Sequence, residues 1–194
     1  MPETPARKAR ADATRNREAV LAAADALFAR SESPRGVSMD QVAAAAGVGK
    51  GTLFRRFGDR DGLIRAVFEA RSGALREAVE SGPAPLGPGA PARERVPALL
   101  DALLGFKLDN RHLALALEES GGGSPYRSEY YGWWHGVLRD ALAAVGGVPD
   151  AGYAAHALLA AVRADLVEHL VATEGGTPRE VRDRLAAYVA KVLG

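Results

Sequence analysis

Apolar residues recur along this chain at helical spacing, and glycine and proline separate the runs that carry them. Val20, Leu21, Ala24, Leu27 and Phe28 form one stripe of a helix expected from about Arg15 to Arg30. Ser33-Pro34-Arg35-Gly36 reads as a turn. Ser38-Met39-Asp40-Gln41 has capping-box spacing and opens a second helix, which Gly47 ends. A short third helix follows from about Gly49 to Phe57. Gly58-Asp59 breaks it, and a fourth helix runs to about Glu80 with Ile64, Phe68, Leu75 and Val79 on one face.

Residues 81–92 hold four prolines and three glycines, a composition that supports no regular element. Beyond them come helices from about Arg93 to Asp109 and from Asn110 to Ser120, then a flexible Gly121-Gly122-Gly123 loop. Ser124-Pro125 starts a helix ending near Val145, and Pro149-Asp150 starts a long one to about Thr173. Thr177-Pro178-Arg179-Glu180 combines a cap, a first-turn proline and a capping-box glutamate, and opens the last helix. Ala, Leu, Arg and Glu dominate and alternating β-branched runs are missing. The expectation is an all-α protein of nine helices.

Composition narrows the function classes. With 194 residues and no cysteine, the chain can bury a core but offers no disulfide, thiolate metal site or cysteine nucleophile. No run of about 18 uncharged apolar residues occurs, and the first residues lack the apolar segment of a secretory signal. These features predict a cytoplasmic protein without a membrane span. The net charge of +1 conceals an asymmetry. Residues 1–65 carry twelve Lys and Arg against eight Asp and Glu, whereas residues 66–194 carry thirteen against sixteen. A basic head on a mildly acidic body raises the question of nucleic acid.

The second and third helices, joined around Gly47, have helix-turn-helix spacing, in which the second member enters the major groove. At about 100° per residue, placing Leu53 at the core puts Phe57 about 40° away. Gly51, Arg55 and Thr52 then lie at about 160°, 200° and 260°, on the outer face. Arg55 has the geometry to read guanine, and Thr52 to meet a base or phosphate. Lys50, Arg56 and Arg60 flank that face as phosphate contacts. Arg7, Lys8 and Arg10 form either a minor-groove arm or a solvated tail. Gly47-Val48-Gly49-Lys50-Gly51-Thr52 is not a nucleotide-binding phosphate loop. Ala44 stands where the first glycine belongs, and Gly51 follows the lysine in place of Ser or Thr.

The run from Val37 to Leu63 resembles the DNA-binding signature of the tetracycline-repressor (TetR) family, a likeness covering roughly residues 15 to 68. Nine helices and this length are similar to that family as well. The resemblance implies DNA contacts at Lys50, Gly51, Thr52, Phe54, Arg55, Arg56 and Arg60. Phe54 departs from the family's usual tyrosine and loses a hydroxyl, leaving a ring for a sugar or thymine methyl. Gly49 replaces a usual serine cap, and Arg60 a common lysine.

The resemblance further implies a DNA-binding domain over residues 1–65 and a ligand-binding and dimerisation domain over 66–194. The expected protein is a homodimeric, ligand-responsive repressor on a palindromic double-stranded DNA operator. Its small-molecule effector is unnamed by the sequence. Phe106, His112, Leu113, Tyr130, Trp134 and Arg163 are the expected pocket liners. Tyr126, Tyr130, Tyr131, Trp133 and Trp134 crowd one stretch, which suits a pocket wall or ordinary core. Asp165 and His169 sit one turn apart and are placed to pair. His156 and His169 diverge around the helix, so no metal or cofactor is expected, and no nucleophile elbow suggests an enzyme. The competing reading is a helical co-regulator that uses the body and rarely touches DNA.

Overall fold

The structure, a computed structural model, describes residues 5–31, 34–119 and 124–194, the side chains of 5–11, 119 and 125 excepted. No strand occurs among the described residues, and the protein is all-α. The chain divides into two compact units, Met1–Arg71 and Ser72–Gly194, each with its own core.

The head contains α1 (Pro5–Phe28), α2 (Met39–Ala46), α3 (Lys50–Phe57) and α4 (Arg60–Arg71), with a 3-10 turn at Pro34–Gly36. Helix α1 begins ten residues before the expected Arg15, so Arg7, Lys8 and Arg10 continue it; their side chains lie outside the described ones. Helix α1 packs on α2 and α4. Val20, Ala24 and Phe28 of α1 are buried, as are Val42 of α2, Leu53 of α3 and Leu63, Ile64 and Val67 of α4. The predicted cap of α2 forms on both sides: Gln41 N–H donates to Ser38 Oγ at 3.2 Å, and Ser38 N–H donates to Gln41 Oε1 at 2.8 Å. At the other end Gly47 takes φ +65°, where the Val48 N–H reaches Ala43 O and the Gly47 N–H reaches Ala44 O. These two hydrogen bonds close α2 and aim α3.

The body holds α5 (Gly73–Ser81), α6 (Ala92–Asp109), α7 (Arg111–Glu119), α8 (Glu129–Val145), α9 (Ala151–Ala161), α10 (Ala164–Glu168) and α11 (Pro178–Leu193). The core runs from Val96, Leu99, Leu100, Leu103 and Leu104 on α6 to Trp134, Leu138 and Leu142 on α8. Leu158 and Val162, with Val181, Leu185 and Val189 of α11, complete it.

Among the described residues eleven α-helices replace the expected nine, because two long helices are broken. The expected helix to Glu80 stops at Arg71 and restarts at Gly73, at a Ser72-Gly73 pair of low helix propensity. The expected helix from Pro149 to Thr173 breaks at Arg163, whose backbone is extended at φ −62°, ψ 140°. Its last stretch, His169–Thr173, is a π turn. Ser124-Pro125 starts only a 3-10 turn (Pro125–Arg127), and Ser128 precedes α8. The Gly121-Gly122-Gly123 loop lies outside the described residues.

Candidate nucleic-acid interface

Helix α3 is eight residues long and turns two of them inward, Leu53 at 1% and Phe57 at 8% exposure. Lys50, Gly51, Thr52, Phe54, Arg55 and Arg56 are exposed, and Arg60 at the start of α4 is half-buried. The outer face is therefore polar and cationic, with one exposed ring. Arg55 makes no ion pair or hydrogen bond among the described residues, so its guanidinium is free for a ligand. Lys50 sits 2.7 Å from Asp40 and lies over the Phe54 ring at 6.0 Å.

Two of the expected phosphate contacts have partners inside the head. Arg56 donates to the Ala13 carbonyl of α1 at 2.7 Å. Arg60 donates to the Arg35 carbonyl of the 3-10 turn at 2.6 Å, and its Nε is buried without a partner. Both guanidiniums thus hold neighbouring backbone, Arg56 from an exposed position and Arg60 from a half-buried one. The turn between α3 and α4 is held by Gly58 at φ +76° and by the Gly62 N–H donating to Asp59 Oδ1 at 2.8 Å.

The six expected pocket liners are spread through the body. Trp134 and Leu113 are buried, Phe106 and Tyr130 are half-buried, and His112 is exposed. Tyr130 and Trp134 meet edge to face at 6.5 Å, and the Trp134 indole N–H is buried near the Tyr130 hydroxyl but outside hydrogen-bonding geometry. Trp133 turns the other way, under the Arg76 guanidinium at 4.6 Å. Arg163 is held by Asp165 at 2.6 Å and faces Glu118 at 3.6 Å. His169 reaches Glu174 at 3.5 Å, so Asp165 and His169 do not pair. A cavity of about 290 Å3 opens among Leu108, Arg111, Val167, Glu168, Val171 and Arg182, and none of the six expected liners borders it.

Sequence reasoning missed two clusters. His135 and His156 stack at 3.9 Å, the Tyr131 hydroxyl sits 2.6 Å from His156 Nδ1, and the His135 Nε2–H donates to Gly152 O at 3.1 Å. The i, i+4 spacing of Tyr131 and His135 was visible, but the arrival of His156 from α9 was not. Glu118 is the second case: it joins Lys107 at 2.9 Å and accepts the Ala164 N–H at 2.8 Å.

Burial pushes the Tyr130 phenol up to about 12, against weaker pulls from the Trp134 indole and the Arg76 charge. A phenol whose folded value is raised keeps its stabilising effect below the unfolded value near 10 and loses it as pH rises toward 12. The body should therefore lose stability through that alkaline window. Tyr130→Phe should flatten this part of the pH profile, read by urea denaturation at stepped pH.

A short helix-turn-helix with a buried inner face and an exposed cationic outer face defines a DNA-binding regulator. Residues 20–67 match the family of bacterial regulatory proteins named tetR. The fold of the chain is similar to a structure assigned as a TetR-family transcriptional regulator from Rhodococcus sp. (TM-score 0.66, 23% identity, 92% of this chain and 99% of that one). It is also similar to a TetR-like transcriptional regulator from Rhodococcus sp. RHA1 (TM-score 0.59, 24% identity, 92% and 95%). A search of the curated proteins returns no match. Residues 20–67 thus carry the DNA-binding domain of the tetR family of bacterial regulatory proteins, and the chain has the fold of these TetR-family structures. Among the described residues no helix is long and apolar enough to cross a membrane.

Proposed function

We propose that the protein is a ligand-responsive repressor that binds a palindromic operator as a homodimer in the cytoplasm. The outward face of α3 carries this reading: Arg55 has no partner among the described residues, and Gly51 and Thr52 stand exposed beside it. Arg55 reads a guanine bidentately, Thr52 meets the adjacent base or phosphate, and Lys50, Arg56 and Arg60 hold the phosphates. Tyr153, Leu166 and Tyr188, all exposed on α9, α10 and α11, favour a second copy against these helices. The buried Trp134 N–H favours an effector that brings a hydrogen-bond acceptor to it. Such an effector acts by favouring one of two head placements in the dimer, of which only one matches the half-site spacing.

A gel shift of the full chain on DNA upstream of its own gene tests the reading, with salt titrated. A retarded band that weakens steeply with salt is expected, by about 0.9 in log–log slope per phosphate contact. Arg55→Ala should cost about 1–3 kcal/mol of discrimination between operator and random DNA. Arg60→Ala should weaken both alike, and its melting temperature must be followed in parallel because the Arg35 carbonyl loses its donor. Equal losses on both DNAs for both variants, or no shift at any salt or with any ligand, would favour a co-regulator that works through protein contacts.

A further inference from the structure

No glycine or proline lies between Tyr153 and Glu174, and Ala160, Ala161, Arg163 and Ala164 are strong helix formers, yet the helix breaks among them. Val162 departs to φ −109°, ψ 20°, Arg163 is extended, and α10 starts afresh at Ala164. A continuous helix sends the N–H groups of Ala164, Asp165 and Leu166 to the carbonyls of Ala160, Ala161 and Val162. Here all three donate to carboxylates instead. Glu118 Oε2 accepts from Ala164 at 2.8 Å and from Asp165 at 3.4 Å, and Asp165 Oδ1 accepts from Leu166 at 2.8 Å. Glu118 reaches this turn from α7. Its other oxygen takes Lys107 of α6 at 2.9 Å, and Arg163 faces it at 3.6 Å. The Glu118 and Lys107 side chains are both largely buried.

The break therefore exchanges backbone hydrogen bonds rather than losing them, and an exchange of that kind is worth little net. Local preference favours the helix, so the bent form depends on one carboxylate that arrives from another element. We infer that Glu118 is the latch of a conformational switch. Seated on the Ala164 and Asp165 amides, it holds residues 151–168 bent as α9 and α10; withdrawn, it lets them close into one helix. Closure changes how Tyr153 of α9 and Leu166 of α10, both exposed, are turned relative to one another. The switch goes beyond the proposed repressor and needs neither an operator nor a second copy, because every group in it belongs to a single chain.

Nuclear magnetic resonance of the isotope-labelled full-length protein tests it, because the Cα chemical shift of Arg163 reports the backbone at the break. The wild type should show an extended value there. In Glu118→Ala the shift should move to the helical value, and the Ala164 and Asp165 amides should stay slow to exchange, now bonded to Ala160 and Ala161. Glu118→Gln keeps an oxygen acceptor but brings an NH2 donor against Lys107, so its Arg163 shift should fall between the two. An Arg163 that stays extended in Glu118→Ala overturns the inference; fast exchange at Ala164 and Asp165 would then make Glu118 a cap on a break that packing imposes. Circular dichroism checks that the variants fold. Where Glu118→Ala does not, Glu118→Gln decides: a shift toward the helical value supports the latch, and a wild-type shift overturns it.

Discussion

Gly62→Ala is expected to unfold the head at temperatures where the wild type is intact, and to abolish operator binding with it. A Cβ at Gly62 would overlap the Phe57 carbonyl oxygen and lie 3.2 Å from the Phe57 carbonyl carbon, while also crowding Asp59 Oδ1 at 3.4 Å. None of these atoms is the free end of a flexible side chain. Phe57 is anchored in the core at 8% exposure, and Asp59 must stay where it accepts the Gly62 N–H. Relief therefore requires α3 to move relative to α4. The expected loss is about 3 kcal/mol or more, at the upper end for overpacking. Amide exchange of the full-length protein reads it, as early exchange over residues 20–67 with the α6 amides still protected. Gly51→Ala is the companion. Its Cβ enters open space, so the head should gain up to about 1 kcal/mol from helix propensity while operator affinity falls. Equal stability changes at the two glycines would contradict this account.

The second large effect is expected in the body. Trp134 is 1% exposed and packs among Leu104, Leu138 and Leu142 in one cluster. Trp134→Ala should cost about 3–5 kcal/mol, from lost burial and the cavity left behind. Trp134→Phe should cost much less, because the indole N–H it removes makes no hydrogen bond in this structure. Urea denaturation followed by circular dichroism distinguishes the two. A large loss for Trp134→Phe would mean that the indole N–H is satisfied, and the support it lends to an acceptor-bearing effector would go with it.

The head was nearly all legible in the chain. Ser38, Gln41 and Gly47 mark the ends of α2 through bonds spanning no more than five residues, and each of those bonds forms. Leu53 and Phe57 lie inward and Arg55 outward because an eight-residue helix repeats every 3.6 residues. Partners from distant helices were not legible. Arg56 on the Ala13 carbonyl and Arg60 on the Arg35 carbonyl join residues 43 and 25 positions apart. The body was legible in its punctuation but not in its breaks. The apolar run from Leu158 to Val171 reads as one continuous helix, since nothing near Arg163 is a breaker by propensity.

By itself the sequence determined the helical class, the helix-turn-helix and the face it presents, because caps, glycine turns and amphipathic stripes are local and act on near neighbours. The tertiary structure alone decided where α9 ends. Glu118 arrives from α7, takes the Ala164 amide that a continuous helix would have used, and is itself neutralised by Lys107 from α6. It likewise decided which of two adjacent tryptophans is core, and that His135 stacks on His156. Each of these is a meeting of side chains far apart along the chain, and only the packing of helices brings such groups within hydrogen-bonding or van der Waals reach.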